Sequence, residues 1–95
     1  SNTTAANLLE GSNAPAEVVE LDNLDPAQAI SYIKRTASTT TKSITLKNMN
    51  LTEAQILDLI SGLGATNGTL KIKGDLLTAK VKAELAAKHW TGIEL

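Results

Sequence analysis

The residues that could carry catalysis in this chain are few and scattered. His89 is the single histidine, it stands beside the single tryptophan, Trp90, and the chain has no cysteine. A catalytic histidine needs a nucleophile or an orienting carboxylate, and the sequence around His89 offers neither at a recognisable spacing. A cation near the end of a helix is favoured by the helix dipole, which gives His89 a structural role instead. The pattern therefore argues against an enzyme.

Other motifs lack the context that their chemistry requires. Asp22, Asp25 and Asp75 lack the dense, regularly spaced oxygen ligands of a calcium loop. With one histidine and no cysteine, a zinc site would need carboxylates from distant positions. The glycine-rich residues 62–68 follow a predicted helix and precede a predicted strand. A phosphate-binding loop has the opposite order, since it follows a strand and opens a helix. We therefore expect neither a metal nor a cofactor.

Length and composition restrict the chain to a small domain with an aliphatic core. The 95 residues are 42% hydrophobic, include no phenylalanine and carry a net charge of -1. Leu, Ile, Val and Ala must build the core, which favours regular layers over a deep ligand pocket. The near-neutral charge argues against a surface that binds nucleic acid. No apolar run approaches the roughly 20 residues that a membrane-spanning helix needs.

The first sixteen residues differ in composition from the rest of the chain. They are rich in Asn, Thr, Ser and Ala, with Leu8 and Leu9 as an isolated apolar pair. This composition predicts a flexible leader or linker over residues 1–16, in which Ser1-Asn2 resembles the remnant of a purification tag. The folded domain is then expected to span residues 17–95.

From residue 17 onward the hydrophobic pattern alternates between a strand period and a helix period. Residues 19–22, 44–47, 70–73 and 93–95 alternate with period 2, which predicts four strands. The first three are each followed by a capping residue and an apolar helical stripe. The capping residues are Asp25, Thr52 and Thr78, and we expect the third helix to end around Trp90.

The strand segments are also copies of one another. Their first apolar residues are 25, 26 and 23 positions apart. These starting residues are Val19, Ile44, Leu70 and Ile93, and the residues two positions later are Leu21, Leu46, Ile72 and Leu95. Periods in the twenties are typical of a solenoid in which each unit contributes one strand and one helix.

Residues 44–52, with the sequence ITLKNMNLT, resemble the LxLxxNxL core of the leucine-rich repeat, in particular the diverged repeats of bacterial surface proteins. His89-Trp90-Thr91 partly matches a closing step of that family. The resemblance implies a protein-binding module at a bacterial cell surface or in a secreted protein. The column in which the family keeps asparagine holds Leu24, Met49 and Asp75, so we expect an irregular relative.

The expected fold is a short, right-handed α/β solenoid of the leucine-rich-repeat kind. It has a four-stranded parallel sheet in sequential order and three helices on one face. The opposite face would then be open to solvent. Strand alternation places on it one row of Glu20, Thr45, Lys71 and Glu94, and a second row of Asp22, Lys47 and Lys73.

We expect the open face to bind a protein partner through Glu20, Asp22, Thr45, Lys47, Lys71 and Lys73. One alternative is a solvated charge ladder that keeps a bare sheet from aggregating. Another is a structural fragment or cap of a longer repeat array, which would form homo-oligomers through its edge strands. An enzyme ranks behind both alternatives, because no acid, base and nucleophile come together in the sequence.

Overall fold

The computed structural model describes residues 16–95, which form a four-stranded parallel sheet and three α-helices. The strands are β1 (Val18–Asp22), β2 (Ser43–Lys47), β3 (Gly68–Ile72) and β4 (Trp90–Glu94). The helices are α1 (Pro26–Thr36), α2 (Glu53–Ser61) and α3 (Ala79–Ala87), and a 3-10 helix, Gly74–Leu76, follows β3. The strand order β1-β2-β3-β4 confirms the predicted sequential parallel sheet. The predicted leader lies outside the described residues except for Ala16, which is buried in the core.

Each α-helix begins at the capping residue that the sequence predicts. The Asp25 carboxylate accepts hydrogen bonds from the backbone N–H groups of Ala27 and Gln28. Thr52 and Gln55 form a reciprocal capping box at the start of α2. The Thr78 hydroxyl accepts a hydrogen bond from the N–H of Val81 at 3.2 Å. These bonds satisfy amides that have no partner within the first helical turn.

The core lies between one face of the sheet and the helices. Val19 pairs with Ile44 and Ile44 pairs with Leu70, so their side chains form a continuous buried row. Helix α1 packs on α2 and α2 packs on α3. The helical side chains that complete the core are Ile33, Ile56, Leu59, Ile60, Val81 and Leu85. Along β1 and β2, buried residues alternate with exposed or half-buried ones, so the helices cover one face and leave the other open.

Strand β4 pairs in a different register from the one predicted. Leu70 lies opposite Gly92, and Ile93 lies opposite Lys71. The predicted alignment of Ile93 with Leu70 is therefore wrong by one residue. Since strand side chains alternate between faces, Ile93 projects from the open face instead of entering the core. The predicted end of the third helix at Trp90 is also wrong, because α3 ends at Ala87 and Trp90 begins β4.

The indole ring of Trp90 accounts for this register. Its side chain is buried, and its Nε1 donates a hydrogen bond to the Gly64 carbonyl at 2.9 Å. Gly68 on β3 is the pairing partner of Trp90 on the neighbouring strand β4, and a Cβ at Gly68 would lie 2.5 Å from the indole ring. A glycine at this place on β3 leaves the space that the ring occupies. The left-handed backbone of His89, with φ of 63°, leads the chain from α3 into β4.

We predict that Gly68→Ala destabilises the domain by about 1 to 3 kcal/mol, because the added methyl group would overlap the indole ring. Chemical denaturation measures the loss. A double-mutant cycle with Trp90→Leu provides the control, since the smaller side chain leaves room for the methyl group. If Gly68→Ala costs the same in both backgrounds, the contact between Gly68 and Trp90 does not set the register.

The register of β4 also predicts that substitution of two isoleucines on neighbouring strands changes the free energy of unfolding by unequal amounts. Ile93→Thr should change the free energy of unfolding by less than about 1 kcal/mol, because Ile93 is exposed on the open face. Ile72→Thr should cost about 2 to 4 kcal/mol, because it places a hydroxyl and a cavity in the core. Equal losses in a denaturation experiment would contradict the observed pairing of β4.

Candidate interaction surface on the open sheet face

The open face is the side of the sheet that the helices do not cover, and its side chains form three rows. The first row is Val18, Ser43, Thr69 and Thr91, and the second is Glu20, Thr45, Lys71 and Ile93. The third row starts with Asp22 and Lys47 and continues just past the ends of the strands with Lys73 and Leu95. The six residues predicted from the sequence all belong to the second and third rows.

Glu94 is the predicted row member that the structure places elsewhere. It pairs with Ile72, whose side chain points into the core, so its own side chain leaves the sheet on the helix side. Its carboxylate lies over Gly74, 2.5 Å from the position that a Cβ there would take. The prediction of Glu94 on the open face is wrong because it followed the incorrect register of β4. Ile93 takes its place in the row.

The charges on the β1–β2 half of the open face are paired with each other. Lys47 Nζ lies 3.3 Å from Glu20 Oε1, and the two side chains are 43% and 48% exposed. Asn48 Nδ2 donates a hydrogen bond to Asp22 Oδ1 at 2.7 Å. An ion pair in this much water contributes only about 0 to 1 kcal/mol to stability. Its main effect is to neutralise Lys47 and Glu20, so the charge that remains on this half of the face is the negative charge of Asp22.

The β3–β4 half carries two lysines without a carboxylate partner. Lys71 is exposed and makes no ion pair with any residue in the described range 16–95. Lys73 donates a hydrogen bond to Asn50 Oδ1 at 3.2 Å, which is an uncharged acceptor. Positive charge is therefore concentrated at one side of the open face.

Three large apolar side chains add to this surface. Within residues 16–95, the large hydrophobic residues classed as exposed are Val18, Ile93 and Leu95, at 38%, 41% and 51%. All three lie on the open face: Val18 is on the edge strand β1, Ile93 is on β4 at the other edge, and Leu95 follows the end of β4. Sequence reasoning missed Ile93 and Leu95 because it aligned them with the core residues Leu70 and Ile72. The sequence feature that could have located Ile93 and Leu95 is Gly68. Because Gly68 has no side chain, it leaves room for the indole ring, which indicates that it pairs with Trp90.

The turns that follow β1 and β2 position the ends of the rows. Asn23 and Asn48 occupy equivalent places and adopt left-handed backbone conformations, with φ of 55° and 52°. Asparagine tolerates this conformation better than most residues. Met49 is buried in the column where the leucine-rich repeat keeps its asparagine, and Leu24 packs against the same core. The hydrogen bond from the Asn48 side chain to Asp22 links the two turns instead.

His89 and Trp90, the single histidine and the single tryptophan, lie outside the open face and have structural roles. His89 is exposed in its left-handed turn, and Trp90 is buried against Gly64 and Gly68. In the described part of the chain, no three His, Cys, Asp or Glu side chains come close enough to hold a metal ion. None of the helices between residues 16 and 95 is long and apolar enough to cross a membrane.

A second surface feature is an open groove between α1 and α2 on the helix layer. Its lining residues are Ala27, Ile30, Ser31, Lys34, Arg35, Gln55 and Asp58. Lys34 and Asp58 form an ion pair across it, and the Arg35 guanidinium lies 5.7 Å from the centre of the Tyr32 ring. These charged groups are engaged with each other or with a neighbouring ring, so the groove offers less than the open face for a partner.

No protein-family model, curated protein sequence or solved structure matches this chain.

The exposure of the open-face charges predicts that they can be changed without loss of the fold. A double-mutant cycle of Glu20→Gln and Lys47→Met should give a coupling energy below about 1 kcal/mol, because the pair is solvated. Thermal or chemical denaturation at low salt measures it. A coupling well above this range would mean that the ion pair maintains the sheet, and the charge-ladder interpretation of these residues would gain support.

Proposed function

We propose that this chain is a non-catalytic protein-interaction module that binds its partner through the open face of the sheet. The observation that carries the proposal is the position of Val18, Ile93 and Leu95 on that one face. Single exposed apolar residues are ordinary on a protein surface, whereas apolar residues gathered among polar ones are typical of an interaction site. Ile93 and Leu95 lie two residues apart at the β4 edge of this face, and Val18 lies on β1 at the other edge. A purely solvated charge ladder does not explain exposed apolar side chains on this face.

The proposed architecture is a short solenoid related to the leucine-rich repeat, of the kind found in bacterial surface or secreted proteins. Support comes from the one-strand, one-helix units, the sequential parallel sheet and the equivalent turns at Asn23 and Asn48. Solenoids of this type use their exposed sheet as an extended binding surface. Met49 is buried at the position that aligns with the asparagine of that family, so the relationship that we propose is a diverged one.

The composition of the face sets the strength of binding that we expect. Its three rows contain no Trp, Tyr or Arg, the residues that most often dominate binding energy. Lysine and carboxylate groups on an exposed surface are screened by salt over about 10 Å at 0.1 M ionic strength. Binding should therefore be of moderate affinity and weaken as salt is raised.

A second candidate function is assembly with further copies of the chain through the sheet edges. In the described part of the chain, β1 and β4 each pair with another strand on one side only. An edge strand with free backbone groups can recruit another strand. Sedimentation equilibrium distinguishes the two functions: a mass that rises with concentration supports assembly through the edges, and a constant monomer mass counts against it.

We predict that changing Lys47 and Lys73 together to Glu weakens partner binding by about tenfold or more, because two attractive or neutral contacts become repulsive. The fold should persist, since both side chains lie at the surface. The measurement uses binders selected from a displayed library against the unmodified chain, with affinities determined by titration calorimetry.

The matched control for this experiment changes Lys80 and Lys82 to Glu. Both lysines are exposed on α3, away from the open face, and the double change alters the net charge by the same amount. If the two double variants bind selected partners equally well, the open face is not the preferred site. Circular dichroism confirms that each variant is folded.

A further inference from the structure

We infer that the partner contacts the β3–β4 half of the open face and presents an acidic segment with aliphatic side chains in extended conformation. This inference rests on the proposed function and specifies the chemistry of its partner. Four residues define the β3–β4 half-face: Lys71, Lys73, Ile93 and Leu95.

Charge complementarity selects an acidic partner. On the other half of the face, Glu20 is paired with Lys47, and Asp22 accepts a hydrogen bond from Asn48. Within residues 16–95, the ammonium groups of Lys71 and Lys73 have no carboxylate in contact. A carboxylate from a partner can therefore approach them without displacing an existing ion pair, whereas one that approaches Lys47 must compete with Glu20.

The apolar contribution comes from the neighbouring strand. Ile93 lies directly opposite Lys71 in the sheet, and paired strands are about 4.8 Å apart. Leu95 is further along the same face of β4 and is 51% exposed. The half-face thus has a cationic side on β3 and an aliphatic side on β4. Lysine stems add apolar surface beside the isoleucine.

The spacing of these residues matches an extended segment. Residues two apart in an extended chain are separated by about 6.6 Å, which is the expected distance between Lys71 on β3 and Lys73 just past the end of that strand. An extended chain directs alternate side chains to opposite sides. A segment that runs between β3 and β4 can place carboxylates at every second position over the lysines. The aliphatic side chains between them then meet Ile93 and Leu95.

Other occupants fit the half-face less well. Nucleic acid and anionic membranes require a larger basic surface than two lysines on a chain with a net charge of -1. A second copy offers Glu20 and Asp22 as the open-face carboxylates, and both are already engaged within their own sheet. An acidic segment of another protein supplies the negative charge that the half-face lacks, and aliphatic side chains that can pack on Ile93 and Leu95.

The test is a titration of the ¹⁵N-labelled full chain with a capped peptide in which Asp and Ile alternate. We expect backbone amide shifts concentrated at Lys71, Lys73 and Ile93, with smaller shifts along β1. Two control peptides keep the same length: in one Lys replaces Asp, and in the other the Asp residues are grouped at one end. Both should bind more weakly, the first because of charge repulsion and the second because it breaks the alternation.

Single substitutions separate the electrostatic and the apolar contributions to peptide binding. Lys71→Glu should weaken binding of the alternating peptide by about fivefold to tenfold, and Ile93→Thr by about threefold or more. Lys82→Glu on α3 is the matched charge control and should leave the affinity unchanged. Raising the salt concentration should reduce the effect of Lys71→Glu and leave that of Ile93→Thr largely intact.

Several outcomes would overturn the inference. Equal binding of the Lys-containing peptide would do so, and so would the same shift pattern with anionic vesicles or single-stranded DNA. Concentration-dependent shifts of the half-face without peptide would identify a second copy as its occupant. Shifts of the half-face on removal of residues 1–15 would identify the chain's own N-terminal segment.

The outcomes also distinguish this inference from the proposed function. If the alternating peptide shifts β1 and β2 instead, and Lys71→Glu has no effect, the half-face assignment is wrong while the open face remains a binding surface. If no peptide shifts the open face, the acidic-aliphatic chemistry is wrong. In that case, the effect of the Lys47 and Lys73 double variant on selected binders decides whether the face binds proteins at all.

Discussion

The pairing register of the parallel strands is the constraint on which the rest of this structure depends. Side chains alternate between the two faces of a strand, so a change of one residue in register exchanges the core with the surface. In β1, β2 and β3, the aliphatic rows through Val19 and Leu21 stabilise the observed register, because a shift of one residue would bury charged residues. The residues that alternate with those rows point to the other side of the sheet and form the open face. Its composition is therefore determined by the packing on the opposite side of the sheet.

Much of the fold could be predicted because its signals are local in sequence. Period-2 alternation identified the strands, and Asp25, Thr52 and Thr78 marked the helix starts through hydrogen bonds that span only a few residues. The order of the strands followed from repeats of similar length. These features depend on near neighbours in the chain, so a single sequence is enough to locate them.

The register of β4 could not be predicted because it depends on a contact between distant residues. From Trp90 to Leu95 the sequence permits two alternations, and the one that places Ile93 and Leu95 inside is more hydrophobic. The volume of the Trp90 ring decides against it, since the ring fits over Gly68 and its Nε1 reaches the Gly64 carbonyl. Nothing within β4 itself reveals that fit. The two apolar residues of the candidate site were missed for the same reason.

The three units are alike in their strands and differ in the turns that follow. Asn23 and Asn48 give the first two units left-handed turns, while the third unit continues into the 3-10 helix Gly74–Leu76. The asparagine at the second turn also donates to Asp22 on the strand before it. The third turn has glycine, Gly74, in the equivalent place, so it has no side chain that could contact Lys47 on the strand before it. Between the ends of β2 and β3, the polar contact is the hydrogen bond from Lys73 to the uncharged Asn50, which leaves the lysine charge unpaired.

Because the third unit differs from the first two, the two halves of the open face differ in charge and in exposed apolar side chains. Where the units are most alike, between β1 and β2, Lys47 forms an ion pair with Glu20 diagonally across the two strands, and Asp22 accepts a hydrogen bond from Asn48. Where the third unit departs from the pattern, Lys71 and Lys73 stand beside a strand whose register was set by Trp90 rather than by charge. A regular repeat would have carried Glu94 into that row as a partner for Lys71. Burial of the indole ring instead brings Ile93 there, and the half-face is both cationic and apolar as a result.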